Sequence, residues 1–161
     1  MNDPQTVNAT EDWNLTTDTP VCLLEGTRVL TPDGERLVED LRAGDRVITA
    51  DGTAAPIRWI GYTRASRARP DQLAILPIRI RAGALGENMP ARDLLLSSDH
   101  AVFIDGTLVQ AGALVNGCSV VREWTAPTTF TYYHVELEAH ALIVAEGTPV
   151  ELRRQRRADD L

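Results

Sequence analysis

Lysine is absent: all sixteen basic residues of the 161-residue chain are arginine. That excludes chemistry needing a lysine amine, such as Schiff bases and the phosphate-cradling P-loop. Cysteine is almost as scarce. Cys22 and Cys118 are too few for a disulfide framework or a cysteine-rich zinc site. Histidine occurs only as His100, His134 and His140. Long apolar runs are missing as well, and the longest fall far short of the ~20 residues a spanning helix needs, so no membrane partner is expected. The first twenty residues hold no Lys or Arg and no apolar block, which does not read as a secretory signal. A cytoplasmic protein is then the default expectation, with export by another route left open. Positive charge is also in deficit: 16 basic against 23 acidic residues gives −7, which argues against nucleic acid as a partner. Any mechanism must be assembled from two thiols, three imidazoles, carboxylates and hydroxyls.

What is present reads as short strands. Runs of alternating or wholly apolar residues are cut by Gly, Pro and Asp-Gly. Strands are expected over Thr27–Leu30, Arg46–Thr49, Ile57–Tyr62, Ile78–Arg81, Leu94–Ser97 and Val102–Ile104. Others are expected over Ser119–Glu123, Thr129–Leu137, His140–Ala145 and Val150–Leu152. Asp33-Gly34, Asp51-Gly52 and Asp105-Gly106 mark tight turns. No 3.6-residue apolar period persists, and the best helical pieces are single turns such as Val38–Leu41 and Arg92–Leu95. The expected fold class is compact and all-β. Residues 1–21 are polar and acidic, which suits a flexible extension. Residues 22–152 form the domain, and 153–161 a charged, solvated tail.

The chain also echoes itself. Thr31–Val47 resembles Phe103–Val120, each reading strand, Asp-Gly turn, one helical turn, Gly, strand. A single such unit cannot cover its own apolar face, so the echo predicts a pseudo-two-fold duplication.

Cys22 stands where the extension meets the first strand pattern. Taken alone, a cysteine near a strand is a small buried hydrophobe. At this junction its thiol also lies beside the carbonyl of its own preceding peptide bond, Val21–Cys22. Attack through a five-membered ring would convert that amide to a thioester, an N-to-S acyl shift, helped by intramolecular placement. The thiol must lose a proton and the departing nitrogen must gain one. Ser97 and His100 in LLLSSDHAVF offer a hydroxyl and, three residues on, an imidazole that protonates near neutral pH. Asp99 is a supporting group or the simple partner of a loop histidine. His134 and His140 share strand parity and face one side unless the chain turns near Glu138. With Cys22 they could supply three zinc ligands, but no local spacing supports a metal motif, and neither metal nor other cofactor is expected. Cys118 reads as a structural thiol.

These residues resemble the hedgehog/intein (Hint) superfamily of self-processing domains, and its bacterial branch most closely. CLLEGTRVLTPDGERLVEDLRAGDRV is similar to the family's opening block, with its nucleophilic cysteine. LLLSSDHAVFI is similar to the second block, usually T-x-x-H, here with Ser97 for Thr. YYHVELEAHALIVAEGTPVEL is similar to the closing block. The resemblance runs from Cys22 to about Leu152 and implies a horseshoe-like β fold. Glu151 and Leu152 stand where an intein ends in His-Asn. Leucine cannot cyclise as asparagine does, and no acceptor Cys, Ser or Thr follows, so full splicing is not expected. The resemblance implies Cys22 as nucleophile, Ser97 and His100 as its assistants, and His134, near a position where many inteins carry Asp or Cys, as a secondary catalytic residue; His140 resembles a recurrent supporting histidine of the closing block. The substrate would be the chain's own N-terminal segment, with water or an external nucleophile as acyl acceptor. The competing expectation is a Hint-like β module that no longer cuts and serves in assembly.

Overall fold

The computed structural model describes residues 6–8, as backbone alone, together with residues 22–66 and 76–152. Val21 and the tail 153–161 lie outside the described residues. So does the rest of the expected extension apart from residues 6–8.

Among the described residues, fourteen strands follow in chain order: β1 (Thr6–Asn8), β2 (Leu23–Leu24), β3 (Arg28–Thr31), β4 (Gly34–Leu37), β5 (Arg46–Ile48), β6 (Ala54–Ser66), β7 (Ile78–Ile80), β8 (Leu94–Leu96), β9 (Ala101–Ile104), β10 (Thr107–Gln110), β11 (Val120–Arg122), β12 (Thr129–Leu137), β13 (Ala141–Ala145) and β14 (Thr148–Leu152). The only helical pieces among the described residues are 3-10 turns at Val38–Asp40 and Ala111–Leu114. No described helix is long and apolar enough to cross a membrane. The fold is all-β, as the short alternating runs predict.

Two sheets carry these strands. One runs β1-β6-β12-β2-β8-β7-β11, with β5 added to β6; the other runs β10-β9-β14-β13-β3-β4. The duplication starts in the second sheet, and each copy ends in the first. Strand, turn, strand, 3-10 turn and strand recur as β3-β4-(Val38–Asp40)-β5 and β9-β10-(Ala111–Leu114)-β11. The two copies meet about the central hairpin β13–β14, where Val29 pairs with Ala145 and Val102 with Val150. All four side chains are fully buried, and Val38 and Ala111 of the two 3-10 turns are sealed beside them.

Two of the hairpins turn through residues with positive φ. At Asp105-Gly106 (φ 49° and 81°) and Glu146-Gly147 (φ 48° and 76°) both turn residues are left-handed. This matches the right-handed twist of the flanking strands and favours Gly in second place. Glu146 also earns its position by its carboxylate, which accepts from the Arg28 N–H and the Arg92 guanidinium.

Three elements differ from expectation. Arg92–Leu95 is not a helical turn: Leu94 and Leu96 are fully buried on one face of β8 with Leu95 half-buried between them, a period of two. β6 runs from Ala54 to Ser66 rather than Ile57–Tyr62, because its first residues pair with β5 and the rest with β12. Pro56 is tolerated in the stretch paired on one side only. Finally, Thr6–Asn8, in the segment read as a flexible extension, pairs in parallel with Ile60–Tyr62.

Candidate active site

The site is built on one rung of the larger sheet. β12 pairs with β2 through Tyr132↔Leu24 and Tyr133↔Leu23, and one further step of that register sets His134 opposite Cys22. β2 pairs with β8 through Leu23↔Leu96, and one further step sets Cys22 opposite Ser97. Residues on a rung point to the same face. His134, Cys22 and Ser97 therefore share one face of the sheet, although they lie far apart in sequence.

Hydrogen bonds fix the Cys22–Ser97 step. The backbone N–H of Cys22, which is the nitrogen of the Val21–Cys22 peptide bond, donates to Ser97 Oγ at 3.0 Å. The Ser97 N–H donates back to the Cys22 carbonyl at 3.0 Å. The chain then turns through Ser98-Asp99, closed by His100 N–H on the Ser97 carbonyl at 3.0 Å. That turn swings the His100 ring back, so that Nδ1 lies 3.2 Å from the same Cys22 carbonyl. The turn is pinned from outside by Gly112 N–H on Ser98 O and Ala111 N–H on His100 O. A side chain at residue 112 would displace the Ser98 hydroxyl, since a Cβ there would lie 2.1 Å from Ser98 Oγ.

Water is excluded. Cys22 is 1% exposed and His100 fully buried. Burial pushes the Cys22 thiol well above its ordinary value. Burial likewise lowers His100 to about 4, against the opposing pull of the Cys22 and Glu151 backbones, with His134 lowering it a little further. At neutral pH the thiol keeps its proton and His100 is neutral, so its Nδ1 donates to the Cys22 carbonyl when it carries the ring proton. The thiol packs in a small apolar cluster with Ala65, Ala126, Phe130 and Tyr132. Tyr132, edge-on to Phe130 at 5.4 Å, has its hydroxyl pushed upward by burial and by the neighbouring Cys22.

The remaining residues sort plainly. His134 is buried on the same rung, with Trp59 edge-on at 5.6 Å. Asp99 stands half-buried in the turn, and His100 Nδ1 lies at the Cys22 carbonyl. His140 is not brought to the thiol. β12 ends at Leu137, the chain bends, and β13 begins at Ala141, so the parity linking His134 to His140 is broken. His140 is half-exposed and pairs with the Glu151 carboxylate at 2.7 Å. Cys118 is exposed and reduced. Two contributors escaped the sequence reading: Tyr132 against the thiol and the Glu151 backbone against His100. Both come from strand register, and no local motif signals them.

A Cys, a T-x-x-H-like turn and a duplicated β unit in this arrangement agree with a family match: the Hint domain family matches residues 21–154. The chain belongs to that family. Its fold is similar to that of a bacterial intein-like domain from Clostridium thermocellum, with TM-score 0.60 and 15% identity over 84% of this chain and 100% of that one. It is also similar to a DnaB intein from Synechocystis sp. PCC 6803, with TM-score 0.62 and 9% identity over 83% and 99% of the two chains. A third similar fold is the MchDnaB-1 intein, with TM-score 0.57 and 14% identity over 81% and 99%. No curated protein sequence matches the chain. The Hint and intein-like family is one of self-processing domains, and this Hint domain has the family's all-β architecture.

Proposed function

We propose that this Hint domain cuts its own chain at Val21–Cys22 by an N-to-S acyl shift and does not splice. The observation that carries the reading is the hydrogen bond from the Cys22 N–H to Ser97 Oγ, with His100 Nδ1 at the adjoining carbonyl. The nitrogen that must leave is thus already held by a hydroxyl, and an imidazole meets the carbonyl of the same residue. The Cys22 sulfur attacks the Val21 carbonyl carbon; the C–S bond forms and the C–N bond breaks. The thiol proton ends on the Cys22 nitrogen, relayed through the Ser97 hydroxyl or the His100 ring, so the net charge is unchanged. His134, on the same face, supports the imidazole. Water or another nucleophile then cleaves the thioester and frees residues 1–21. Glu151 and Leu152 have no side-chain amide able to cyclise, so the far end of the domain stays joined.

The test is direct. The purified full chain, treated with hydroxylamine or excess small thiol, should lose about 2 kDa, the share of 21 of 161 residues in 17.7 kDa. Cys22→Ala should abolish the loss and Cys118→Ala should leave it. A wild-type chain that is folded and stays intact under these conditions overturns the reading. One observation favours that second outcome, an inert β module: the thiol is buried, and that burial opposes its ionisation.

A further inference from the structure

The rung that carries the site extends beyond it. Gly61 of β6 pairs with His134, and Val7 of β1 pairs with Gly61. Val7, Gly61 and His134 therefore lie in one line across three strands, and Cys22 and Ser97 continue it just outside the ends of β2 and β8. The outer edge of β6 explains why the first of these is there. From Ala54 to Ile57 that edge is occupied, by β5 and by the Gly44 N–H and Asp45 carbonyl. At Ile60–Tyr62 it is met only by Thr6–Asn8 among the described residues. Without them the edge would present unpaired N–H and C=O groups, which is a template for an added strand.

Resting on the cleavage reading above, we propose that the β6 edge at Ile60–Tyr62 is the domain's substrate-recognition site. Its ligand is an extended peptide, the Thr6–Asn8 stretch of the segment to be released, added as a parallel strand. Recognition is through the backbone and so tolerant of sequence, with a cavity of about 120 Å³ between Glu39, Arg42, Tyr62 and Tyr133 beside the pairing. The reach is ample. β1 and β2 are three strand spacings apart, about 14 Å at the usual ~4.8 Å per strand. The 13 residues from Ala9 to Val21 can span about 40 Å when extended. The segment is thereby held at both ends, by the added strand and by the bond to Cys22. Cleavage opens only one of these ties, so the product peptide stays bound as a strand and departs in a separate, slower step.

The contact itself is tested without cleavage, by hydrogen exchange in the full chain carrying Cys22→Ala. Amides of Ile60–Tyr62 that point away from β12 should exchange roughly tenfold or more slowly than in the same chain with Val7→Pro added, since proline removes a strand N–H and disfavours strand pairing. Amides of the β13–β14 hairpin should be unchanged, which verifies folding; Asn8→Pro repeats the test with a second substitution. Fast exchange at Ile60–Tyr62 before the proline is introduced overturns the proposal, and so does slow exchange that survives both prolines. In chains that retain Cys22, hydroxylamine cleavage should leave the released peptide co-eluting with the domain, and Val7→Pro should separate the two. Protection of the edge with no cleavage would sink the reaction and keep the binding site; cleavage with an unprotected edge would do the reverse.

Discussion

Removing the Ser97 hydroxyl leaves the Cys22 N–H without an acceptor in a place closed to water. An orphaned buried donor costs about 1–3 kcal/mol, so Ser97→Ala should lower the urea midpoint by that equivalent and slow thiol-induced cleavage. Ser97→Thr, which keeps an oxygen at the same position, should restore most of both. His100 gives a second prediction. Its folded value of about 4 lies below the unfolded 6.5, so between those limits the unfolded chain binds more protons. The stability this neutral ring supplies is complete above pH 6.5 and is lost as pH falls toward 4. The slope is at most ~1.4 kcal/mol per pH unit, roughly 3 kcal/mol in all. Denaturation curves across that window should show the slope, and His100→Asn should flatten it. Asp51, held down to about 2 by Thr49 and Thr53, weakens the fold only in the separate range below 3.8. At this scale the sequence was readable where the chemistry is local: Ser97 and His100 sit on one turn, three residues apart. Tyr132 and Trp59 were not, because they meet the site only through pairing between distant strands.

Strand β6 shows how an element can depend on one missing side chain. Trp59 and Gly61 share a face two residues apart, and the indole folds over residue 61, where a Cβ would lie 2.4 Å from the ring. Gly61→Ala should therefore force the indole off His134 and destabilise the domain by about 1–3 kcal/mol, the usual range for overpacking. Thermal melts of Gly61→Ala with and without Trp59→Phe would test this, the smaller ring restoring part of the loss. β12 was legible end to end, since TFTYYHVEL is a continuous run of aromatic and β-branched residues between turn signals, and the structure has the same bounds although the apolar phase switches at Tyr133. The short strands β2, β4 and β10 were not legible. Gly34–Leu37 and Thr107–Gln110 are largely exposed and are strands because a hairpin partner supplies their hydrogen bonds, which no pattern within four residues encodes. Arg92–Leu95 failed as a helical turn for a related reason: three consecutive leucines suit either period, and tertiary burial of alternate members decided between them.

The duplication organises the molecule as a whole, and it was visible as a repeat because turn chemistry and spacing recur in both copies. The site itself breaks the symmetry. Cys22, just ahead of β2, and His134, on β12, lie outside the repeated units, which is why the repeat alone could not locate them. Global packing also governs the two thiols. Native protein treated with a disulfide-exchange dye should label Cys118 at once. Cys22, buried and with its ionisation opposed by that burial, should label only as fast as the domain opens. Equal fast labelling of both would contradict the sealed site. The long separation of the parts has a further result. Ser97 meets Cys22 from 75 positions downstream, and His134 arrives later still, so a ribosome must deliver the polypeptide at least that far before the proposed cut can begin. Whatever is translated ahead of Cys22 stays tethered to its nascent chain until then, and the timing of its liberation is written into the order of synthesis.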